Sequence, residues 1–379
     1  MSRDDRLFTP RFFVMCGFSF TVFLSAFQLL PTAPFRIREL GGSTLASGLF
    51  LGFLTFASAL SAPLTGRLAD RIGRPRTLLI ASLIIAACSI VYAVTSNYRL
   101  MLALVLVHGV FWSGLLTASG AFMTNMLPAR RRAEGIGYWG LASVGALAVA
   151  PPIAFWILKY GWAWLCASCV ALNLLMAAIA WTLREDEAAD APAHELGSAI
   201  EWRVLVLSGT LFLYSFGYGA ITSFSAVFAD ALGITPKSLY LTTLAIVILL
   251  TRPLSGTFGD RIGHKRVFLP CLVLIAIGLG ILAMHGTRAS LITSAVIFGV
   301  GFGTAYPMFI AYVMHDVDAR RRGAAFGAVL AAFDTGVGTG STMAGWLIQR
   351  FGFSAAFGTA AALSAIALPY FLLVDRKLR

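Results

Sequence analysis

The stretch APLTGRLADRIGRPR, residues 62–76, returns at residues 252–266 as RPLSGTFGDRIGHKR. Eight positions are identical when the two copies are aligned, and in the first copy they are Pro63, Leu64, Gly66, Asp70, Arg71, Ile72, Gly73 and Arg76. Two further matches keep the same offset, because ARRR occurs at 129–132 and at 319–322, and Trp156 aligns with Trp346. A single offset maintained across three apolar segments indicates that the chain consists of two homologous halves.

The sequence around both copies is strongly apolar. Of 379 residues, 58% are hydrophobic and only 12% are charged, with a mean hydropathy of +0.82. A soluble domain is usually about one quarter charged, so this chain cannot cover a water-facing surface. Its apolar runs of about twenty residues have the length of a helix that spans a bilayer. They lack strand-like alternation, and the sequence therefore predicts an all-α polytopic membrane protein.

Twelve transmembrane helices are predicted, in two pseudo-symmetric six-helix bundles. The predicted spans lie near 11–32, 43–65, 77–96, 100–125, 134–157, 162–183, 203–228, 238–255, 267–285, 289–313, 323–346 and 352–374. The stretch REDEAADAPAHELGSAIE at 184–201 is acidic and unpatterned, which is typical of a linker. The predicted domains are thus an N-terminal bundle at 1–183, a cytoplasmic linker at 184–201 and a C-terminal bundle at 202–379.

The basic residues predict the orientation. With the N-terminus placed in the cytoplasm, 21 of the 29 lysines and arginines fall in cytoplasmic segments and 7 in outer segments. This excess follows the positive-inside rule and predicts that both termini are cytoplasmic, in a multi-pass protein of the cell membrane, most simply a bacterial inner membrane. The net charge of +12 has the same origin, and it does not indicate nucleic-acid binding.

The pattern G-x-L-A-D-R-x-G-R-x-R between the second and third spans resembles the signature loop of the major facilitator superfamily. The resemblance covers the whole chain, including the twelve spans, the half-repeat, the linker and both loops. It implies alternating access around a solute site between the two halves. It also implies a cytoplasmic gate that contains Gly66, Asp70, Arg71, Gly73, Arg76, Gly256, Asp260, Arg261, Gly263 and Arg266.

In this family the loop aspartate is expected at the N-terminus of a helix in the opposite half. The resemblance places Asp70 near Gly323 at the eleventh span and Asp260 near Glu134 at the fifth. A carboxylate at a helix N-terminus is favoured by about 0.3–1 kcal/mol. The alternative is that most of the loop arginines only anchor the topology.

Two ionisable residues inside the spans are proton-coupling candidates, because such residues are costly in a bilayer and functional by default. Asp334 in AAFDTGVGTG is the only carboxylate well inside a span, and His108 lies in the fourth span. The unperturbed histidine side chain titrates near neutral pH, which suits proton exchange. The alternative for Asp334 is a hydrogen-bonded packing role beside glycines, and for His108 it is a neutral histidine between helices.

The resemblance also implies that the first, fourth, seventh and tenth spans line the solute cavity. Aromatic faces with scattered hydroxyl groups suit an amphipathic organic solute, although such aromatics also face lipid or pack internally. The cavity candidates on these spans are Gln28, His108, Trp112, Ser113, Tyr214, Tyr218, Thr222 and Tyr306.

The chain departs from the drug/proton antiporters of the family at two places. The expected R-x-x-Q-G reads VLVHG at 105–109, and the expected G-P-x-x-G-G reads APPIAF at 150–155. The sequence is more similar to arabinose-efflux-type and metabolite exporters. The leading hypothesis is a secondary active transporter that exports a small organic solute by proton antiport. The alternative is a metabolite importer or uniporter of the same fold.

An enzyme or receptor on membrane helices is the other class considered. The sequence has no phosphate-binding G-x-x-x-x-G-K-[ST] pattern, and its G-x-G runs lie inside apolar spans rather than after strands. No His/Cys cluster has the spacing of a metal site. We therefore expect no enzyme activity, no cofactor and no metal, with a small-molecule solute, protons and the lipid bilayer as partners. A monomer would suffice.

Overall fold

The computed structural model describes residues 7–128, 131–184, 202–315, 317 and 322–377, with the side chains at 133, 254, 255, 257, 260 and 322–324 left aside. The predicted linker at 184–201 lies almost entirely outside the described residues. Helices account for nearly all of the described chain, and no strand occurs within it. The predicted all-α polytopic fold is confirmed.

Twelve of the described helices are long, and one is short. The helices are α1 (Pro10–Leu29), α2 (Ala33–Glu39), α3 (Thr44–Ile72), α4 (Arg74–Val94), α5 (Tyr98–Met126), α6 (Arg132–Leu158), α7 (Trp162–Thr182), α8 (Trp202–Ala231), α9 (Leu239–Ile262), α10 (His264–Met284), α11 (Arg288–His315), α12 (Arg322–Phe351) and α13 (Phe353–Lys377). The first predicted span corresponds to α1, and spans two to twelve correspond to α3 to α13. The short helix α2 lies where the sequence predicted only an outer loop.

Ten segments of the described chain are long and apolar enough to cross a bilayer. The first of these runs through α1 and α2 together, from Pro10 to Glu39, and α9 contributes a shorter apolar stretch, Leu239–Pro253. The remaining long helix, α12, is rich in glycine, serine and threonine and carries Asp334. Its composition indicates close packing against other helices rather than wide contact with lipid.

The signature loops are much shorter than the sequence predicted. Helix α3 continues through Ile72 and α4 begins at Arg74, so that Gly73 alone separates them. Gly263 separates α9 from α10 in the same way. The predicted spans ended near 65 and began near 77, so the expected extent of the first loop was wrong. The helix continues because Ala69 is buried, while Arg67, Asp70 and Arg71 lie on the outer face.

The internal repeat extends to the backbone conformation. Among the described residues, six glycines have positive φ, and the repeat brings them into three pairs at nearly the same offset: Gly73 and Gly263, Gly161 and Gly352, and Gly41 and Gly233. Gly73 and Gly263 have φ of 92° and 94°, a region that other L-residues rarely adopt. Their helices α4 and α10 also have equal lengths of 21 residues.

The chain forms two compact units. Unit one comprises Met1–Leu29 and Leu60–Leu196, and unit two comprises Leu30–Ala59 and Gly197–Arg379. Helix α3 therefore contributes its first part, 44–59, to unit two and its second part to unit one. These units describe packing, whereas the domain boundaries at 183/184 and 201/202 follow the repeat and stay a prediction.

Unit one is held by helix pairs that meet through apolar cores and a few indole hydrogen bonds. Helix α1 packs on α6 and α7, and α4 packs on α5 and α7. The indole of Trp139 on α6 donates to Ser19 Oγ on α1 at 2.6 Å, and that of Trp162 on α7 donates to the carbonyl of Tyr92 on α4 at 2.8 Å. These bonds satisfy polar groups that lipid cannot.

Unit two contains the corresponding pairs. Helix α8 packs on α12 and α13, α10 packs on α11 and α13, and α9 packs on α11. The hydroxyl of Tyr370 on α13 donates to the carbonyl of Val206 on α8 at 2.7 Å. Ser294 on α11 donates to the carbonyl of Gly278 on α10 at 2.6 Å, and its oxygen lies 3.1 Å from the hydroxyl of Tyr240 on α9. Side-chain hydrogen bonds thus connect α8 with α13 and α11 with both α9 and α10.

Candidate functional site

Asp334 lies near the middle of α12 in unit two and is partly buried. Ser58 on α3 donates a hydrogen bond from its Oγ to Asp334 Oδ2 at 3.0 Å. A hydroxyl group can donate to a carboxylate and can also accept from a protonated carboxyl group. Ser58 can therefore serve Asp334 in either protonation state, and the strength of the α3–α12 contact depends on which state is present.

The first part of α3 contacts α12 through glycines. A Cβ atom added to Gly48 would overlap the carbonyl oxygen of Ser341, and one added to Gly338 would overlap Thr55 Oγ1. Ser341 Oγ donates to the carbonyl of Gly48 at 2.8 Å. The Ser58–Asp334 bond thus lies at one end of a contact in which the two helix backbones touch.

Three predicted cavity tyrosines come together beside Asp334. Tyr218 on α8 stacks on Phe302 of α11, with ring centroids 4.5 Å apart and planes at 11°. Tyr306 on α11 meets the edge of Phe333 at 5.3 Å, and Tyr214 meets Phe302 at 6.0 Å. Phe333 directly precedes Asp334, so the aromatic cluster reaches the turn of α12 that carries the acid. The sequence analysis had not singled out Phe302, Phe333 or Ser58.

The members of this cluster differ in exposure. Tyr214 is fully buried, and Thr222 is buried with its hydroxyl bonded to the carbonyl of Tyr218 at 2.8 Å. Tyr218 and Tyr306 keep part of their surface exposed. Among the predicted cavity residues of unit two, Tyr218 and Tyr306 are therefore the ones whose side chains are accessible to a solute. Tyr214 and Thr222 are buried behind them.

The structure places Arg252 inside α9, well before the helix ends at Ile262. Its side chain is partly buried, and Tyr306 lies within electrostatic range of both Arg252 and Asp334. The apolar run of α9 ends near Pro253, and the helix continues beyond it. Unit two thus combines a cation, an acid and aromatic rings around Tyr306.

In unit one, His108 and Trp112 line one small cavity together with Ser25, Asn173 and apolar side chains. The Nδ1 atom of His108 lies 3.5 Å from the hydroxyl oxygen of Tyr92. Two other predicted cavity residues use their polar groups within the unit. Gln28 Oε1 accepts from Ser168 Oγ at 3.0 Å, and Ser113 Oγ lies 3.1 Å from Thr65 Oγ1. Gln28 and Ser113 therefore connect helices of this unit.

The predicted gate residues lie around two hinge glycines, which are Gly73 between α3 and α4 and Gly263 between α9 and α10. Asp70 is exposed and forms an ion pair with Arg74 at 3.5 Å, one helical turn apart across Gly73. Arg71, Arg76, Arg261 and Arg266 have exposed or partly exposed side chains, and Gly66 and Gly256 have no neighbours around the position of a Cβ. The side chain of Asp260 and the surroundings of Gly323 lie outside what the structure describes. The two latches predicted across the halves stay predictions.

A buried carboxylate that the sequence analysis did not consider lies at the end of α13. Asp375 is 1% exposed and accepts a hydrogen bond from Lys265 Nζ at 2.6 Å and another from the hydroxyl of Tyr312. Lys265 follows the hinge Gly263 by two positions. This cluster therefore joins the ends of α10, α11 and α13 next to the second signature loop. Among the described residues, no group of His, Cys, Asp and Glu side chains could hold a metal ion.

The family model of the Major Facilitator Superfamily matches this chain over residues 13–256 and 207–379. The chain is 25% identical over 364 residues to the uncharacterized MFS-type transporter YhhS of Escherichia coli K12, covering 93% of this chain and 89% of that protein. A crystal structure of a bacterial homologue of the human lysosomal transporter Spinster matches with a TM-score of 0.82 and 16% identity, over 97% of this chain and 96% of that one.

A crystal structure of the nucleoside transporter NupG matches with a TM-score of 0.74 and 16% identity, over 97% of this chain and 100% of that one. Identities this low show a common fold and leave the solute open. The family match covers nearly the whole chain and agrees with the twelve long helices and the half-repeat. The chain belongs to the major facilitator superfamily of membrane transporters.

Proposed function

We propose that this transporter exports a small organic solute in exchange for protons, with Asp334 as the group that carries the proton. The single observation that supports this proposal most is the hydrogen bond between Asp334 and Ser58, within a membrane-spanning helix. A carboxylate at that depth is expensive unless it is paired or used. Its hydroxyl partner lies on a different helix, so a change in its charge alters a contact between helices.

The proposed coupling follows from the strength of this bond. A hydrogen bond to an ionised carboxylate is roughly twice as strong as one between neutral groups. When Asp334 takes up a proton, the bond that fixes α3 to α12 weakens. Gly48 and Gly338 contribute no side chain of their own to this contact, and small residues of this kind allow two packed helices to shift against each other. Proton uptake and helix movement are thereby linked at one residue.

The solute is proposed to bind where the aromatic cluster of unit two leaves surface free, at Tyr218 and Tyr306. Aromatic rings with hydroxyl groups bind the apolar body of an organic solute and orient its polar groups. Arg252 belongs to the same unit and is partly buried, and its positive charge would favour an anionic solute. Nucleosides are one solute class to test, because a nucleoside transporter shares the fold.

The finer features of the transport cycle are part of the same proposal. The two halves of the repeat alternate access, both termini lie in the cytoplasm of a bacterial inner membrane, and Asp70 and Asp260 latch the cytoplasmic side. A monomer performs the cycle. His108 stays a second candidate for proton exchange. The alternative function is uptake or uniport of a metabolite, and Arg252 beside the aromatic cluster would suit a metabolite anion.

The test is protection of an efflux-deficient bacterial host against a panel of toxic compounds that includes cationic dyes, organic anions and nucleoside analogues. It compares wild type, Asp334→Asn, the empty vector and the matched control Asp230→Asn, in which the lost carboxylate is paired with Lys237 near the end of α8. Protection by wild type and Asp230→Asn, but not by Asp334→Asn at equal expression, is expected.

Two results would count against the proposal. Equal protection by wild type and Asp334→Asn would remove Asp334 from the coupling mechanism. Sensitisation by the wild-type protein, with toxic compounds entering faster than in the vector control, would favour uptake over export.

A further inference from the structure

The cavity in unit one has the size of one water molecule. Its volume is about 10 Å³, the smallest that admits one buried water. Its lining combines polar groups from three helices, namely Ser25 of α1, His108 of α5 and Asn173 of α7. All three residues are at most 6% exposed. A cavity with these polar walls has the properties of a hydrated site rather than a dry void.

The amide of Asn173 has one group left to pair. Its Nδ2 donates to the carbonyl of Cys169 at 2.7 Å and to Ser25 Oγ at 3.1 Å. The carbonyl of Cys169 can only accept, so this bond fixes which end of the amide carries the nitrogen. The Oδ1 atom is consequently the opposite end, and it is buried without a protein partner among the described residues. Leaving a buried acceptor unpaired costs about 1–3 kcal/mol.

His108 and Ser25 provide the other hydrogen-bond partners that a water needs. The Nδ1 atom of His108 lies 3.5 Å from the Tyr92 hydroxyl, which leaves Nε2 as the second polar atom of the ring. Ser25 Oγ accepts from Asn173, so its own proton is available to donate. A buried water usually makes about three hydrogen bonds. Asn173 Oδ1, His108 and Ser25 supply three.

We propose that unit one contains an internal water-binding site at which one ordered water bridges Asn173, His108 and Ser25. The site joins α1, α5 and α7 at a depth where lipid offers no hydrogen bonds. It also gives His108 a polar partner on each side, from Tyr92 and from the water. This water site is independent of the proton-coupled export proposed for Asp334, because all of its residues belong to unit one.

Met176 lines the same cavity and provides the readout, since it is fully buried and its thioether is easily oxidised. Brief X-ray irradiation of the purified full-length protein produces hydroxyl radicals from water, and radicals from an ordered water react with the side chains beside it. Met15 is the matched control, because it is equally buried in unit one and does not line the cavity. We expect several-fold more oxidation at Met176 than at Met15.

The variant Asn173→Leu removes the acceptor and replaces it with an apolar side chain of similar shape, so that the cavity no longer offers a water its polar partners. Oxidation of Met176 should fall to the level of Met15, whereas Asp334→Asn should leave it unchanged. If Asn173→Leu does not fold, Ala26→Val fills the same cavity from α1 with the same expected loss. The proposal is overturned if Met176 and Met15 are oxidised equally in wild type, or if Met176 remains reactive in the filled cavity. Oxidation of Met176 by hydrogen peroxide added in bulk would also overturn it, because the site would then be open to solvent.

Discussion

Position 334 in α12 is aspartate, whereas the corresponding position of the first repeat copy, in α6, is the buried Val144. The partner of Asp334, Ser58 on α3, corresponds to the buried Ile248 on α9. The repeat therefore preserves the helices and loses the polar pair. Unit one contains the cavity at His108. In the second copy of the repeat, the residue that corresponds to His108 is Phe298, whose ring is fully buried.

Helices α12 and α6 also differ in how closely another helix can approach their backbones. Gly336, Gly338 and Gly340 of α12 occupy the positions that Ala146, Ala148 and Ala150 hold in α6. A Cβ added to Gly340 would overlap the carbonyl oxygen of Phe216 on α8. Helices α8 and α12 therefore approach more closely than the methyl groups of α6 would permit in their place. The comparison indicates that α12 is suited to closer backbone contacts than α6, its counterpart in the first copy of the repeat.

The largest expected effect concerns the polar pair itself. Ser58→Ala removes the hydroxyl group that bonds Asp334, and we expect it to weaken coupled export without abolishing it, because Asp334 can still bind a proton. Val144→Asn, which places a polar side chain at the corresponding site of unit one, should change solute export little. The measurement is the rate of solute export from loaded cells at equal expression. Identical export by Ser58→Ala and wild type would contradict the coupling role of this bond.

The second prediction concerns Asp375, because the two partners of its carboxylate are not repeated in the first copy. In the alignment of the two halves, Lys265 corresponds to Pro75 and Tyr312 to Phe122. Removing one member of a buried ion pair costs about 3–5 kcal/mol, and the partial exposure of Lys265 places Asp375→Ala near the lower end of that range. Thermal unfolding in detergent should show a large loss of stability. Asp230→Ala, which breaks a more exposed pair, is the control, and equal melting of the two variants would contradict the prediction.

Gly340→Ala tests the close helix contact in unit two. The added methyl group has to displace the backbone of α8, and overpacking of this kind costs about 1–3 kcal/mol. The counterpart change Ala150→Gly should cost about 1 kcal/mol from helix propensity, together with the packing of one buried methyl group. We expect a lower melting temperature for Gly340→Ala than for Ala150→Gly. The opposite order would show that the glycines of α12 are not required for packing.

The smallest effect on stability is expected at the signature loop. Asp70 is exposed and forms a surface ion pair with Arg74, so Asp70→Asn should change the free energy of unfolding by no more than about 1 kcal/mol. If the carboxylate also latches the cytoplasmic side, the same variant should increase the labelling of cysteines introduced on that side. A variant with unchanged melting and unchanged labelling would leave Asp70 without the latch role.

Much of the fold could be predicted because the information is local. The repeated motif, the apolar runs and the glycine at each hinge lie within short stretches of the chain, and the twelve long helices follow from them. The extent of the signature loop was wrong because helical continuation through residues 66–72 depends on the burial of Ala69, which packing decides. Helix α2 was missed for a similar reason, since its short length provides too little pattern.

The site could be predicted only in part. Asp334 was found because it is alone in an apolar span, and Tyr218 and Tyr306 because the resemblance named their helices. Ser58 is far from Asp334 along the chain, and one serine among apolar residues gives no signal of its own. The orientations of Gln28 and Ser113 depend on the rotation of each helix. Amphipathic periodicity is weak in a helix surrounded by lipid and protein, so their contacts inside unit one were not predictable.

The most direct test of the proton-carrying role of Asp334 is transport by purified protein in liposomes, with a solute identified by the growth panel. Two modes are compared in wild type and Asp334→Asn: accumulation driven by an imposed pH gradient, and exchange of labelled for unlabelled solute without a gradient. We predict that Asp334→Asn loses accumulation and retains exchange, because solute binding and helix movement persist without the proton. Accumulation by Asp334→Asn equal to that of wild type would contradict the account.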